Sequence, residues 1–273
     1  MATPGLTNAA ERRRWNDDYW VSVWPRREQL TAVVTDLLLD HARLVPGARV
    51  LDIGAGAGIS SIAAAGRVGE SGSVTGADIS IPLAEFATRR AHDLGLANVE
   101  FVVVDMQEDT VDGAPFDAAI SQFGVMFFDE PTVAFTNIRR HLRPAAPFAF
   151  ACWQPLEPNL WHINHVLAPF LPPPGVPAPG KSPAGPFSLG SPDRTTAILV
   201  HAGWSEIERE PLEVTVAVER DAIFDDGQLR FLGVTDDRID DARSAIEGHL
   251  ARMERPDGRY DAPLAIQIFV ASA

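Results

Sequence analysis

Three carboxylates and three glycines have the types and the spacing to hold a ligand: Asp52, Asp78 and Asp105, with Gly54, Gly56 and Gly58 at alternate positions. Asp78 follows Asp52 by 26 residues and Asp105 follows Asp78 by 27, each about the length of one strand-helix-strand unit. Open parallel sheets bind ligands outside the carboxyl ends of their strands, so acids recurring at that end converge on one crevice. Each aspartate alone reads equally well as a helix cap. The apolar run Val50 to Ile53 predicts a buried parallel strand, and the glycines predict a turn that a ligand approaches closely. Ile59 to Arg67 reads as the helix that follows. A pyrophosphate fingerprint, G-x-G-x-x-G, would need glycine or alanine at position 59, where this chain has Ile59. Asp52 suits an ammonium better than a pyrophosphate. The ligand implied has a cationic, amino-acid-like end.

The elements that must position these residues alternate. Strands are predicted near 48–53, 73–78, 99–104, 116–121, 147–153, 207–218 and 263–271, with helices near 57–67, 81–94, 129–142 and 191–203. That order predicts an α/β fold, a doubly wound, mostly parallel seven-stranded sheet. Residues 1–46 read as an N-terminal helical cap, with Leu30, Val33, Val34, Leu37 and Leu38 at helical spacing and Pro46-Gly47 closing it. Residues 47–153 and 190–273 form the predicted core. The insertion 154–189 holds a short helix around Trp161 to Leu167 and a proline-rich run from Leu171 to Gly180. It is the expected lid. A second, helical insertion, 221–256, carries apolar faces at Ile223, Phe224, Leu229, Phe231 and Leu232 and at Ile239, Ile246, Leu250 and Met253.

Val50 to Gly58 resembles the first motif of the class I S-adenosylmethionine-dependent methyltransferases, and further landmarks follow in that family's order. Ser73 to Ser80 resembles its second strand, which ends in an acid for the ribose hydroxyls. Val99 to Met106 resembles its third, where Asp105 and an apolar neighbour bracket the adenine. Phe116 to Phe128 resembles the fourth strand and its loop in the ubiquinone-biosynthesis-like, small-molecule branch. The resemblance spans residues 45 to 155 and implies a Rossmann-like methyltransferase fold with S-adenosyl-L-methionine as cofactor. It implies cofactor contacts from Asp52, Gly54, Gly56, Gly58, Asp78, Ile79, Asp105, Met106 and Ser121. The implied activity is transfer to an oxygen or ring carbon of an apolar metabolite, such as a quinol or polyketide. A chain that binds the cofactor without transferring its methyl, as a binding protein or cyclase, would carry the same motifs. Ala145-Ala146 replaces a usual Gly-Gly turn, and Ser121-Gln122 stands where relatives often have Ser-Arg. Gln122-Phe123 also cannot supply the acidic pair of the metal-dependent branch, so no metal is implied.

Methyl transfer asks a protein to position and desolvate the acceptor and, where needed, to deprotonate it. His162 and His165, in the expected lid, are the general-base candidates, because histidine titrates near neutrality. His141 and His201 belong to helices expected to face away. Trp20, Gln122, Phe123, Met126 and Trp153 are the expected substrate-binding residues. Trp15, Tyr19 and Trp24 crowd the cap, where they could wall the cofactor or simply pack the helix on the sheet.

A formal net charge of -14 argues against a nucleic-acid partner, since binding a polyanion depends on phosphate neutralisation. The single cysteine, Cys152, excludes an internal disulfide and a cysteine-based zinc site. Met1 to Asn8 lacks a signal-peptide pattern, and no apolar run reaches the length of a membrane span. The expectation is a cytoplasmic protein whose partner is a small-molecule acceptor. A homodimer is left open.

Overall fold

The computed structural model describes residues 8–171 and 184–273. Seven strands form one sheet: β1 (Arg49–Ile53), β2 (Ser73–Asp78), β3 (Val99–Val103), β4 (Ala118–Gln122), β5 (Pro147–Trp153), β6 (Ser205–Val218) and β7 (Tyr260–Ser272). Their order is β3-β2-β1-β4-β5-β7-β6, with β7 antiparallel to both neighbours and the others parallel. The sequence reverses direction at β1, which pairs with β2 on one side and β4 on the other. Such a switch point opens a crevice at the carboxyl ends, where Asp52 and Asp78 lie on paired strands and Asp105 follows β3.

Ten α-helices accompany the sheet among the described residues: α1 (Ala9–Trp15), α2 (Tyr19–Ala42), α3 (Ile59–Val68), α4 (Ile81–Asp93), α5 (Pro131–Arg140), α6 (Asn164–Leu167), α7 (Pro192–His201), α8 (Arg220–Ile223), α9 (Asp226–Leu232) and α10 (Ile239–Leu250). Small side chains let α3 lie close to the strands: Ser60, Ser61, Ala64 and Ala65 are all buried. Ser80 starts α4 by accepting a hydrogen bond from the Leu83 N–H. The core centres on Leu51, Ile120, Phe148, Phe150 and Phe269, each fully buried and each contributing about 1.5–3 kcal/mol by burial.

The C-terminal half of α2 belongs to this core through Leu30, Val34, Leu38 and Leu39. Its N-terminal half joins a smaller cluster in which Trp20 and Val23 pack on Ala57 and Leu83, next to the glycine turn. The cap is therefore seated on the strand ends that the carboxylates occupy. The first insertion forms the short α6 and then runs, from Pro172, outside the described residues, which takes most of the proline-rich run with it. The second becomes α8, α9 and α10. Ala145, in the turn before β5, adopts a left-handed φ of 63° and is held by its N–H to the Ala273 carbonyl. Among the described residues, no helix is long and apolar enough to cross a membrane.

Candidate active site

A cavity of about 280 Å³ opens at the carboxyl ends of β1, β2 and β4. The turn after β1 forms its floor. Gly54 and Gly56 have φ of +67° and +54°, and the Gly54 N–H donates to the Ala77 carbonyl at 2.8 Å. A Cβ on Gly54 would lie 2.6 Å from the Gly124 Cα, so the turns after β1 and β4 touch backbone to backbone. A side chain at either glycine would push these strand ends apart.

Asp78 closes the turn from the side. Its Oδ2 accepts the Gly56 N–H at 2.7 Å and its Oδ1 accepts the Ser80 N–H at 2.8 Å. Burial raises its carboxyl above the ordinary range, against the pull of these backbone donors. Asp105 is likewise raised by burial, while the Gln107 N–H, Asn8 and Arg12 act the other way. Asp52 is fully buried beneath the turn, where Ser60 and Ser61 both donate to its Oδ2 at 2.6 Å. Its Oδ1 has no partner among the described residues, and burial pushes its pKa up to about 6. Three buried acids in one place favour a ligand that brings hydrogen-bond donors and positive charge.

Beyond the turn the cavity becomes an aromatic chamber. Phe123, held at a φ of 63°, stacks on Trp153 with ring centroids 4.2 Å apart, and Trp153 meets Trp161 at 4.9 Å. From the cap, Trp15 packs on Trp20 at 4.3 Å and edge-on to Phe127 at 5.0 Å. Phe231 of α9 closes the far side against Tyr19 and Trp20. The cap is latched to the strand ends: the Asn8 side chain donates to Asp105 at 3.3 Å, Ser80 donates to the Trp15 carbonyl at 2.6 Å, and Asn16 donates to the Ile79 carbonyl at 3.1 Å.

Residues 50–145 match the methyltransferase domain family. The chain is 33% identical over 113 residues to aklanonic acid methyltransferase of Streptomyces sp. (strain C5), covering 41% of this chain and 51% of that protein. It is 31% identical over 107 residues to nocamycin O-methyltransferase of Saccharothrix syringae, covering 39% of this chain and 38% of that protein. The match thus spans about half or less of these curated relatives. The fold matches a SAM-dependent methyltransferase from Aquifex aeolicus with a TM-score of 0.53 at 19% identity, over 96% of this chain and 97% of that one. Residues 50–145 are thus similar to the methyltransferase domain family, and the sheet and its helices have the Rossmann-like methyltransferase fold.

The chemistry of the glycine turn fits S-adenosylmethionine. The Asp52 Oδ1, unpartnered among the described residues, and the raised Asp78 and Asp105 carboxyls call for an ammonium and hydroxyls. Of the expected residues, Gly54, Gly56, Asp78, Ile79, Asp105 and Met106 line the cavity. So do Trp20, Gln122, Phe123, Met126, Trp153 and His162. Gln122 is fixed by cap residues, accepting from the Thr35 hydroxyl at 2.8 Å and donating to the Thr31 carbonyl at 3.0 Å.

Four expected site residues are not on the cavity wall. Asp52 lies one layer down and reaches the cavity through Ser60. Gly58 is a packing glycine, because a Cβ there would meet the Phe101 ring at 2.7 Å and the Ala87 methyl at 3.1 Å. Ser121 turns its hydroxyl to the Ile53 carbonyl at 2.6 Å, which ties β4 to β1. His165 lies edge-on to His249 at 4.8 Å, outside the chamber. Gly56 also differs in detail: a Cβ there would strike the Trp24 ring at 2.6 Å, and that ring is a wall of the cavity.

Of the two histidines of the first insertion, His162 lies in the chamber. Burial, with lesser contributions from His165 and Arg27, pushes its pKa down to about 4, so the ring is neutral at pH 7. Its Nδ1 is buried without a hydrogen-bond partner among the described residues. The structure adds wall residues that the sequence analysis did not single out: Arg14 and Arg27 from the cap, and Gln228 from α9. Phe231 and Leu232, expected on an apolar face of the second insertion, also line the cavity. Both insertions therefore roof the site.

Proposed function

We propose that this chain transfers the methyl group of S-adenosylmethionine to an oxygen or ring carbon of a flat, apolar metabolite of the quinol or polyketide kind. The observation that carries this reading is the continuity of one cavity, from the glycine turn and its acids into a chamber walled by Phe123, Trp153, Trp161 and Phe231. The two relatives named for aklanonic acid and nocamycin support a small-molecule acceptor of that class.

The cofactor, when bound, supplies a methyl group already activated on a sulfonium. Asp78 and the Gly54-Gly56 turn would hold its ribose and amino-acid part, with Ile79 and Met106 flanking the adenine. The chain's own work is placement and dehydration. Aromatic walls from the cap, β5 and α9 hold a planar acceptor and exclude water, and positioning of that kind can supply about 7–11 kcal/mol of a displacement barrier. Neutral His162 can accept a hydrogen bond from an acceptor hydroxyl, and take its proton where the acceptor is not ionised.

The test is incubation with S-adenosylmethionine and a panel of quinols, phenols and aromatic acids, followed by mass spectrometry. A gain of one methylene with stoichiometric S-adenosylhomocysteine supports transfer. Binding of the cofactor with no methylated product from any acceptor, but with a rearranged one, would favour the cyclase reading. In the same assay His165→Ala should leave kcat and KM unchanged, because His165 is outside the chamber. His162→Ala should raise acceptor KM while kcat stays within about threefold, and a kcat loss of about 10²–10⁴ would instead make His162 a general base.

A further inference from the structure

We propose that Arg27 holds an anionic oxygen of the acceptor, so that this chain takes acids which enter the site already ionised. This rests on the methyl-transfer reading and narrows its substrate class. Arg27 stands on the face of α2 that carries Trp20, Trp24, Leu30 and Thr31, all of which line the cavity. Helical spacing puts that face against the interior, so a guanidinium there interrupts an apolar stripe. It is half-buried, with its Cζ 5.9 Å from the Trp20 ring centroid.

The other cavity cation and the nearby carboxylates are already matched. Arg14 pairs with Glu11 at 3.8 Å, and Glu28 pairs with Arg90 at 2.8 Å. Asp78 is held by backbone donors. Among the described residues Arg27 has no ion-pair partner. A positive charge within a chamber of Trp and Phe rings is stabilised when an anion joins it, and a guanidinium binds a carboxylate through two parallel hydrogen bonds. Two more groups with unmet polarity share the chamber. Gln228, nine-tenths buried, lines it, and among the described residues neither its Oε1 nor the buried Nδ1 of His162 has a partner. A polar end of the ligand therefore reaches this side of the cavity, while its ring body lies among the aromatics.

The chemistry balances without a base. Transfer to a carboxylate oxygen forms one O–C bond and breaks one S–C bond; the sulfur keeps the electron pair, the sulfonium becomes a neutral thioether, and no proton is released. The product is a neutral methyl ester, which loses the ionic contact with Arg27. Methylation thereby weakens the hold that positioned the acceptor.

The probes are anthraquinone-2-carboxylate, its neutral carboxamide, and 2-hydroxyanthraquinone above and below the pH of its ionisation. Binding is read by quenching of tryptophan emission, since Trp15, Trp20, Trp24, Trp153 and Trp161 all line the cavity. Wild type should bind the carboxylate at least about tenfold more tightly than the carboxamide, as a charge-assisted pair would give. Arg27→Gln should erase that gap, Arg27→Lys should keep part of it, and neutralising the exposed Arg43 by Arg43→Gln should leave it intact. A gap that appears only with the ionised phenol assigns the same Arg27 contact to an enolate or phenolate acceptor. Equal binding of the acid and the amide, or a gap that survives Arg27→Gln, overturns the proposal. Calorimetry with S-adenosylhomocysteine separates the two readings: Arg27→Gln should bind it within about twofold of wild type, whereas failure of wild type to bind it removes the methyl-transfer reading and leaves the anion contact measurable.

Discussion

Gly54→Ala is expected to cost both the fold and the cofactor. At a φ of +67° an L side chain is strained by about 1–2 kcal/mol. Its Cβ would also stand 2.6 Å from the Gly124 Cα, a backbone atom that cannot rotate away. Overpacking of this kind costs about 1–3 kcal/mol, so the sum is about 2–5 kcal/mol. For a chain of this size that corresponds to a fall in melting temperature on the order of 10 °C. The relief available is for the turn after β1 to move off the turn after β4, which opens the cavity floor. Cofactor affinity should therefore fall by more than the loss of folded protein explains. Gly66→Ala, in α3 with nothing within 4 Å of the added methyl, is the matched control and should be neutral or stabilising. Scanning calorimetry of the two variants with and without S-adenosylhomocysteine checks both parts. A Gly54→Ala protein that melts and binds like wild type would show that the two turns do not touch.

Asp78→Ala is the second large effect. It removes the acceptor of the Gly56 N–H and of the Ser80 N–H, and with them the carboxylate offered to the ribose. Hydrogen bonds to a charged group are worth about 1.5–3 kcal/mol each, so affinity for S-adenosylhomocysteine should drop at least about tenfold, and more if both hydroxyls are bound. Asp78→Asn keeps the shape and one acceptor oxygen. It should fall between alanine and wild type. Wild-type affinity in the alanine variant would move the ribose away from β2.

The sheet was legible because strand and turn signals coincide. Val50 to Ile53 is buried on both faces, apolar but for Asp52, and followed at once by glycine, and apolar strands ending in an acid recur at Asp78 and Asp105. The ends of β1 and β2 follow from that, as does the convergence of their acids. Glycine was harder, because its reason is tertiary. Gly54 and Gly58 look alike in the sequence, yet one meets the backbone of Gly124 and the other the ring of Phe101. Ser121 was expected at the ligand because it ends a strand, but a hydroxyl at that position also reaches the neighbouring strand's carbonyl, and that bond wins. His162 and His165 share a short segment and separate only once the chain folds around Trp161 and His249. The second insertion was legible only as helices with apolar faces, and nothing in the spacing says that Phe231 and Leu232 face a cavity. Arg27 had a usable signal, a charged residue in the apolar stripe of α2.

The central claim is that the crevice at the ends of β1, β2 and β3 is built for S-adenosylmethionine. Isothermal titration of the wild-type chain with S-adenosylhomocysteine, and then with NAD under the same conditions, tests it most directly. The predicted result is saturable binding of one S-adenosylhomocysteine per chain and no heat of binding with NAD. Saturable binding of NAD with none of S-adenosylhomocysteine would contradict it.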